Sequence, residues 1–299
     1  MNNPAVSVII VNYNSLALIS DCIDSIKTFT SVPFEIIIVS NSHEELVEIQ
    51  TVKEKLPSIN YIESGSNLGF SKANNIGANH AKGKYLFFLN PDTVLLNNAI
   101  DLLHDKIDQT PEIGLIGPAI FDSEGNQEPS VVGHISSSTL FSLAFPFLRF
   151  FLPPKHQEGF YSPNSSEFVD VVHGSSMMIS SKLYNEVEGM DEDFFLYSEE
   201  RDLCLKVAKT DHKVLFFNEA KVEHIGGGAS ENLFLPLEIE KHRSKKKLIR
   251  KNYPQLVILN KFCGILGYGF RTIFSVLTFN RFKIQQFGTL FYWYLFIYK

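Results

Sequence analysis

Nine residues constrain this chain more than any others: Tyr85-Leu86-Phe87-Phe88-Leu89-Asn90-Pro91-Asp92-Thr93. Five consecutive apolar side chains bounded by turn residues make a strand buried on both faces, the pattern of a strand inside a parallel sheet. Pro91 has no N–H to donate and restricts Asn90, so the strand ends there. An amide and a carboxylate are left at the sheet's carboxyl edge, where open α/β sheets take their ligands. Read alone, the tripeptide is a strand-ending turn before a helix from about Leu95.

The flanking sequence repeats the pattern. Residues 6–11 are an apolar β-branched run closed by Asn12-Tyr13-Asn14, after which Leu16, Ile19, Ile23 and Ile26 recur at helical spacing. Residues 34–39 form a second such strand, closed by Ser40-Asn41-Ser42. Helical spacing returns over 46–56, and 59–62 is a short third strand. In the turn Gly65-Ser66-Asn67-Leu68-Gly69, Asn67 is placed to cap a helix through about Ala81. Strands alternating with helices imply βαβ units and a parallel sheet.

The second half is less regular. A strand is expected over 113–121, with Asp122-Ser123-Glu124-Gly125-Asn126 as hairpin turn chemistry. Residues 168–179 read as a strand interrupted by His173-Gly174-Ser175-Ser176. Ser198 is placed to cap a helix that starts with Glu199, Glu200 and Asp202 and turns Leu203 and Val207 inward. Short strands over 214–217 and 221–225 lead to His224-Ile225-Gly226-Gly227-Gly228. No strand is followed by Gly-X-Gly-X-X-Gly, which argues against a nicotinamide dehydrogenase.

Taken in chain order, these segments resemble the family 2 glycosyltransferases, and within them the rhamnosyltransferase-like branch of bacterial surface polysaccharide synthesis. The resemblance rests on Val8-Ile-Ile-Val-Asn-Tyr-Asn14, Asn67-Leu-Gly-Phe-Ser-Lys-Ala-Asn-Asn-Ile-Gly77 and Leu89-Asn-Pro-Asp-Thr93. It continues in Gly189-Met-Asp-Glu-Asp-Phe-Phe-Leu-Tyr197, Glu199-Glu-Arg-Asp-Leu-Cys204 and His224-Ile-Gly-Gly-Gly228. It implies a GT-A fold: an α/β, Rossmann-like, mostly parallel central sheet flanked by helices. It implies inverting transfer of a sugar from a nucleotide-diphosphate donor, with Mg²⁺ or Mn²⁺ as cofactor. The family's Asp-X-Asp metal motif falls on Asn90-Pro91-Asp92, making Asp92 the principal ligand and Asn90 a neutral departure. His224 falls near the metal or the diphosphate.

The same resemblance assigns the remaining roles. The family's catalytic base is the second residue of a Glu-Asp pair opening a helix, here Glu199-Glu200, so Glu200 is the candidate base; alternatively Glu199, Glu200 and Asp202 only complement the helix dipole. Asn12, Tyr13 and Asn14 at the first strand end, and Ser40 and Asn41 at the second, fall on the nucleotide side. Ser40 stands where the family usually has Asp. Asn67, Gly69, Lys72 and Asn75 match the next donor segment, with Lys72 either approaching a phosphate or solvated on the surface. Asp191, Phe195 and Glu199 fall on the acceptor side, and Gly174 lets the substrate pass near the backbone. Asn90, Ser40 and Glu200 all depart from the commonest family residues, which leaves a catalytically degenerate sugar-nucleotide or glycan-binding subunit as the alternative to an enzyme.

Charge divides the chain. No Asp or Glu follows Glu240, whereas 12 Lys or Arg do; taking those 12 from the overall −6 leaves −18 for residues 1–240. A transferase domain over 1–235 and a basic, aromatic, helical region over 236–299 follow. Lys241, Arg243, Lys245, Lys246, Lys247, Arg250 and Lys251 precede a segment rich in Phe, Leu, Ile and Tyr, with Arg271, Arg281 and Lys283 interrupting it. An anionic membrane surface fits this better than nucleic acid. The longest uncharged run, 284–298, is shorter than the roughly 20 residues of a spanning helix, so an interfacial anchor on the cytoplasmic face of the bacterial inner membrane is expected. The apolar residues 140–152 are a second contact of that kind. A lipid-linked glycan acceptor fits such an address, and a homo-oligomer interface is the alternative use of the tail. Cys22, Cys204 and Cys263 are too few and too scattered for a disulfide framework. Met1-Asn2-Asn3-Pro4 has no basic n-region, so no signal peptide is expected.

Overall fold

The computed structural model describes residues 4–42, 59–157, 159–226 and 234–298. The helix expected over 46–56 and Gly227 and Gly228 lie outside them. The chain divides into two compact units, Met1–Val131 with Tyr161–Asn232, and Val132–Phe160 with Leu233–Lys299.

The first unit is an α/β sheet. Its strands are β1 (Val6–Asn12), β2 (Phe34–Ser40), β3 (Asn60–Glu63), β4 (Tyr85–Leu89), β5 (Thr93–Leu95), β6 (Ile113–Phe121), β7 (Glu167–Val169), β8 (Ser176–Ser180) and β9 (Lys213–His224). They lie in the order β3-β2-β1-β4-β8-β6-β9-β5, with β7 on β9. The portion β3-β2-β1-β4 is parallel, β8 enters antiparallel between β4 and β6, and β9 runs parallel to β6. Helices α1 (Leu16–Phe29), α2 (Phe70–His80), α3 (Ala99–Gln109), α4 (Ser181–Glu186) and α5 (Glu199–Ala208) connect the strands.

The central strand is as its residues require: all five side chains of β4 are buried. Removing Phe or Leu side chains of this size from water is worth about 1.5–3 kcal/mol each. Ile19, Ile23 and Ile26 of α1 are fully buried in the same core, beside Phe87 and Leu89 of β4 and Ile100, Leu103 and Ile107 of α3.

Several local expectations change. The helix after Asp92 begins only at Ala99, because Thr93–Leu95 pairs with the end of β9. The two short strands expected over 214–225 are one strand whose register shifts between Phe217 and Lys221. The 122–126 turn closes through Asp122 N–H to Asn126 O, 2.9 Å, but its hairpin stops at the single bridge Phe121–Gln127.

The second unit is helical: Ser137–Ala144, Phe234–Asn252, Val257–Leu277 and Arg281–Tyr292, ending in a π-helical turn Trp293–Ile297. Leu143, Tyr268, Leu290, Trp293, Tyr294 and Tyr298 form its core. Buried His242 lies between the Tyr294 and Tyr268 hydroxyls, 2.9 Å from each, so both ring nitrogens are satisfied. Many other apolar side chains of this unit face outward, among them Phe150, Phe151, Ile258, Phe274, Leu277 and Phe279. The helical stretch Pro254–Leu277 is long and apolar enough to cross a membrane by length and composition alone, even though Lys261 and Arg271 lie within it.

Candidate active site

Strand register brings the expected residues to one edge of the sheet. Ile10 of β1 pairs with Leu89 of β4, so Asn12 and Asn90 emerge from neighbouring strand ends. Ser176 pairs with Leu89 on the other side, and Asn90 N–H donates to Ser175 O at 2.8 Å. His224, the last residue of β9, pairs with Thr93, and Ile225 N–H donates to Asp92 O at 3.0 Å. Residues far apart in sequence are thus held by backbone bonds alone.

Asp92 and His224 meet there. His224 Nε2 lies 3.4 Å from Asp92 Oδ1, and that buried oxygen has no hydrogen-bond donor. Burial works against protonation of His224, but Asp92 outweighs it and raises the imidazole above its usual range. The ring of His173 is 5.8 Å from that of His224. Ser175 N–H donates to His173 Nδ1 at 3.1 Å, which leaves the proton of the neutral ring on Nε2. Burial, then the neighbouring His224, lowers His173 to about 4, so it is neutral at physiological pH.

The test of a divalent ion is the donor set. Among the described residues no three His, Cys, Asp or Glu converge. Asp92 and His224 form a pair, 3.4 Å apart, whose carboxylate oxygen accepts no short hydrogen bond. Mg²⁺ and Mn²⁺ are commonly held by one or two protein ligands, with phosphate and water oxygens completing the shell. The residues present fit such an ion.

The acidic pair opens α5. Tyr197 and Ser198 precede it with φ of 68° and 71°, left-handed backbone in two consecutive non-glycine residues. Strain of this kind costs of order 1–3 kcal/mol per residue and gathers at functional sites. Ser198 makes no side-chain cap, contrary to expectation, because its left-handed backbone is not that of an N-cap. Glu199, Glu200 and Asp202 are buried, with Leu203 and Val207 beneath. Burial, then the Glu200 charge, pushes Glu199 well above the usual glutamate value of 4.5. Burial also raises Glu200, opposed by the Arg201 charge and by backbone N–H groups. Glu199 Oε2 is buried without a hydrogen-bond partner. A Cβ on Gly174 would sit 3.2 Å from Glu200 Cβ and 3.5 Å from Cγ. The glycine therefore leaves room for the base candidate itself, and the loop 173–175 joins that residue to the Asp92–His224 pair.

The residues expected on the donor side form a framework. Asn41 donates to Asn67 Oδ1 at 3.1 Å and to Gly69 O at 3.3 Å, and accepts from Leu68 N–H at 2.8 Å. Asn67 accepts from Gly69 N–H at 3.1 Å, so it closes a tight turn one step before the helix; the N-cap is Gly69, without a side-chain cap. Gly69 has φ 84°, and a Cβ there would meet Phe195 O at 2.5 Å. Phe70 N–H donates to that same oxygen at 2.7 Å, which ties α2 to the loop before α5. Asn75 clamps this loop further: its amide donates to Met190 O at 2.9 Å and Glu192 Oε1 at 3.2 Å, and accepts from Tyr184 O–H at 2.5 Å. Lys72 is exposed and 4.0 Å from Glu192. Asn12 accepts from Ser15 N–H at 3.2 Å, Tyr13 is half-buried, and Asn14 is left-handed and exposed. Buried Ser40 makes a long 3.5 Å bond to Ser42 O. Asp191 accepts from Asp193 N–H at 3.0 Å, and Phe195 is exposed.

Comparison with known proteins identifies the family. The profile described as "Glycosyl transferase family 2" matches residues 7–181, more than half of the chain. The chain belongs to this family. It is 29% identical over 210 residues to the low-salt glycan biosynthesis hexosyltransferase Agl10 of Haloferax volcanii, covering 68% of this chain and 61% of that protein. It is 23% identical over 231 residues to an N-acetylglucosaminyl-diphospho-decaprenol L-rhamnosyltransferase of Mycobacterium tuberculosis, covering 73% and 75%. Among solved structures, that of GalNAc-T7 with UDP, GalNAc and Mn²⁺ matches with a TM-score of 0.57 at 18% identity, over 75% of this chain and 44% of the other, and shows the GT-A fold.

A family 2 glycosyltransferase joins a nucleotide-sugar donor to an acceptor. The sequence reading overlooked two of the site's residues. His173 was visible only as part of a break in a strand, although a histidine beside a glycine at the ligand edge is a usable signal. Buried Tyr184 gave none, because its hydroxyl meets Asn75 through long-range packing.

Proposed function

We propose that the protein is an inverting, divalent-metal-dependent glycosyltransferase that moves a sugar, with L-rhamnose from its dTDP donor as first choice, onto a hydroxyl of a lipid-linked saccharide in surface polysaccharide synthesis. The observation that carries this reading is the juxtaposition, through loop 173–175, of the Asp92–His224 pair with buried Glu200. The mycobacterial relative, named for rhamnosyl transfer to a diphospho-decaprenol-linked sugar, supports rhamnose as the sugar and a lipid-linked acceptor.

Asp92 and His224 would hold Mg²⁺ or Mn²⁺, which supplies charge neutralisation to the donor diphosphate when bound. Glu200 accepts the proton of the acceptor hydroxyl. That oxygen bonds to the anomeric carbon as the bond to the nucleotide diphosphate breaks on the opposite face. His173, neutral with its proton on Nε2, offers a donor beside the same edge. Asn41 and Asn67 fix the turn before α2, and Gly69 and Asn75 hold the loop that leads to Glu200. The outward apolar side chains of the helical unit and its basic residues support peripheral attachment to an anionic cytoplasmic membrane face.

Calorimetric titration of the protein with UDP, dTDP and GDP, each with and without Mn²⁺, tests the reading. Binding of dTDP that strengthens with Mn²⁺ is expected. Binding of one nucleotide unchanged by Mn²⁺ contradicts the metal assignment, and selective binding of UDP or GDP contradicts the donor.

A further inference from the structure

The helical unit contains a pocket unrelated to the sheet edge. Helix Phe234–Asn252 presents Glu240, Arg243, Lys246, Lys247 and Arg250 along one face, and with Trp293 and Ile297 they line a pocket of about 440 Å³. Four of these seven residues are cations. The one carboxylate, Glu240, is engaged by Arg243 at 3.5 Å. Lys246 Nζ stands 5.9 Å from the ring centre of Trp293 and 4.8 Å from that of Tyr298, so its charge rests against two aromatic rings rather than a carboxylate. Burial, then repulsion from Arg250 and Lys261, lowers its affinity for a proton. Trp293 is itself buried, and its indole Nε1–H finds no acceptor. It opens the π-helical turn Trp293–Ile297, a distortion often found where a helix serves a site.

The lining is rich in donors and poor in acceptors. Such a lining matches a compact anion with several oxygens, and arginine forks in particular suit phosphate. The buried indole offers no open face on which a base could stack, which disfavours a nucleic acid. The geometry points to a binding site for a phosphate-bearing anion, a phosphomonoester or diphosphate, presented by a lipid headgroup or free in solution. This site is separate from the transfer reaction: its loss leaves nucleotide binding at the sheet edge unchanged, so the two readings fail independently.

Trp293 is the single tryptophan of the chain, so its fluorescence reports the pocket directly. The full chain is titrated with inorganic diphosphate, with phosphatidylcholine vesicles, and with phosphatidylcholine vesicles containing phosphatidic acid. A saturable change with diphosphate and with the phosphatidic acid vesicles, and none with phosphatidylcholine alone, is the expected result. A response to the vesicles only assigns the phosphate to a lipid, and a response to diphosphate only assigns it to a soluble compound. Silence toward both overturns the site. Replacing Lys246 and Arg250 by Gln is expected to weaken half-saturation about tenfold or more, at roughly one surface charge's attraction per residue. The charge-matched pair Arg281→Gln and Lys283→Gln, on another helix, is expected to weaken it much less. Equal losses from both pairs, in proteins with unchanged circular dichroism, would reduce the effect to general attraction and overturn the site.

Discussion

Two groups of polar residues at the sheet edge of the first unit have opposite hydrogen-bonding states. Asn41, Asn67 and Asn75 are engaged with backbone groups of the adjoining loops. Asp92 Oδ1 is buried with only the 3.4 Å approach of His224 Nε2, Glu199 Oε2 is buried with no hydrogen-bond partner, and Glu200 is buried with a raised pKa. Unpartnered buried polar atoms cost about 1–3 kcal/mol each. Apart from Asn41, both groups belong to the motifs by which the chain resembles its family. The difference separates a framework, which holds loops, from an edge with poorly satisfied polar atoms, where the proposed reaction is placed.

Changes on the two sides of this division should differ in kind. The largest effect is expected at the edge: Asp92→Asn lowers transfer by about a thousandfold, the equivalent of several kcal/mol of charge stabilisation, while the melting temperature is kept or raised. A comparable loss of thermal stability would move Asp92 into the framework. Next, Asn75→Ala leaves the Tyr184 hydroxyl without its acceptor and the Met190 N–H with only the Tyr184 oxygen at 3.2 Å, and should cost about 2 kcal/mol in denaturant unfolding. If Asn75→Ala instead abolished donor binding in a fully stable protein, the framework reading would be wrong.

The pair opening α5 gives a pH test with a definite sign. A base must be ionised, so kcat/KM should rise with pH through a pKa above 4.5, the usual glutamate value, because burial raises Glu200. Glu199, raised further, keeps its proton in the fold after the unfolded chain has released it near 4.5. Its contribution to stability therefore declines as pH climbs past that value. Glu199→Gln should melt higher than the parent at neutral pH, with the difference closing below pH 4.5. The smallest effect is reserved for Lys72: its ion pair is exposed, and Lys72→Ala should change stability by no more than about 0.5 kcal/mol. A large loss of donor affinity in that variant would return Lys72 to the phosphate.

Much of this arrangement was legible in the residues. Strand β4 followed from five consecutive apolar side chains, α1 from its isoleucine spacing, and the ligand edge from the polar residues that close each strand. What failed to show were mostly features set by partners distant in sequence. Ser198 looks like a cap, but it and Tyr197 before it are both left-handed, a local departure the residue types do not announce. Asn67 looks like a cap, but it is held by Asn41 two residues before the actual N-cap, Gly69. The one long strand β9 read as two because its register shift is imposed by β6. Residues 132–160 group with the C-terminal helices, a tertiary association that local pattern does not encode.

The most direct test of the division is Glu200→Gln. Donor binding by calorimetry with Mn²⁺ and transfer to acceptor under single-turnover conditions are measured on the same protein. If Glu200 takes the acceptor proton, donor affinity stays within a factor of about two while transfer falls by about 10²–10⁴-fold. Transfer at near-parental rate with donor bound would contradict the account and leave the acidic pair as part of the helix's own electrostatics.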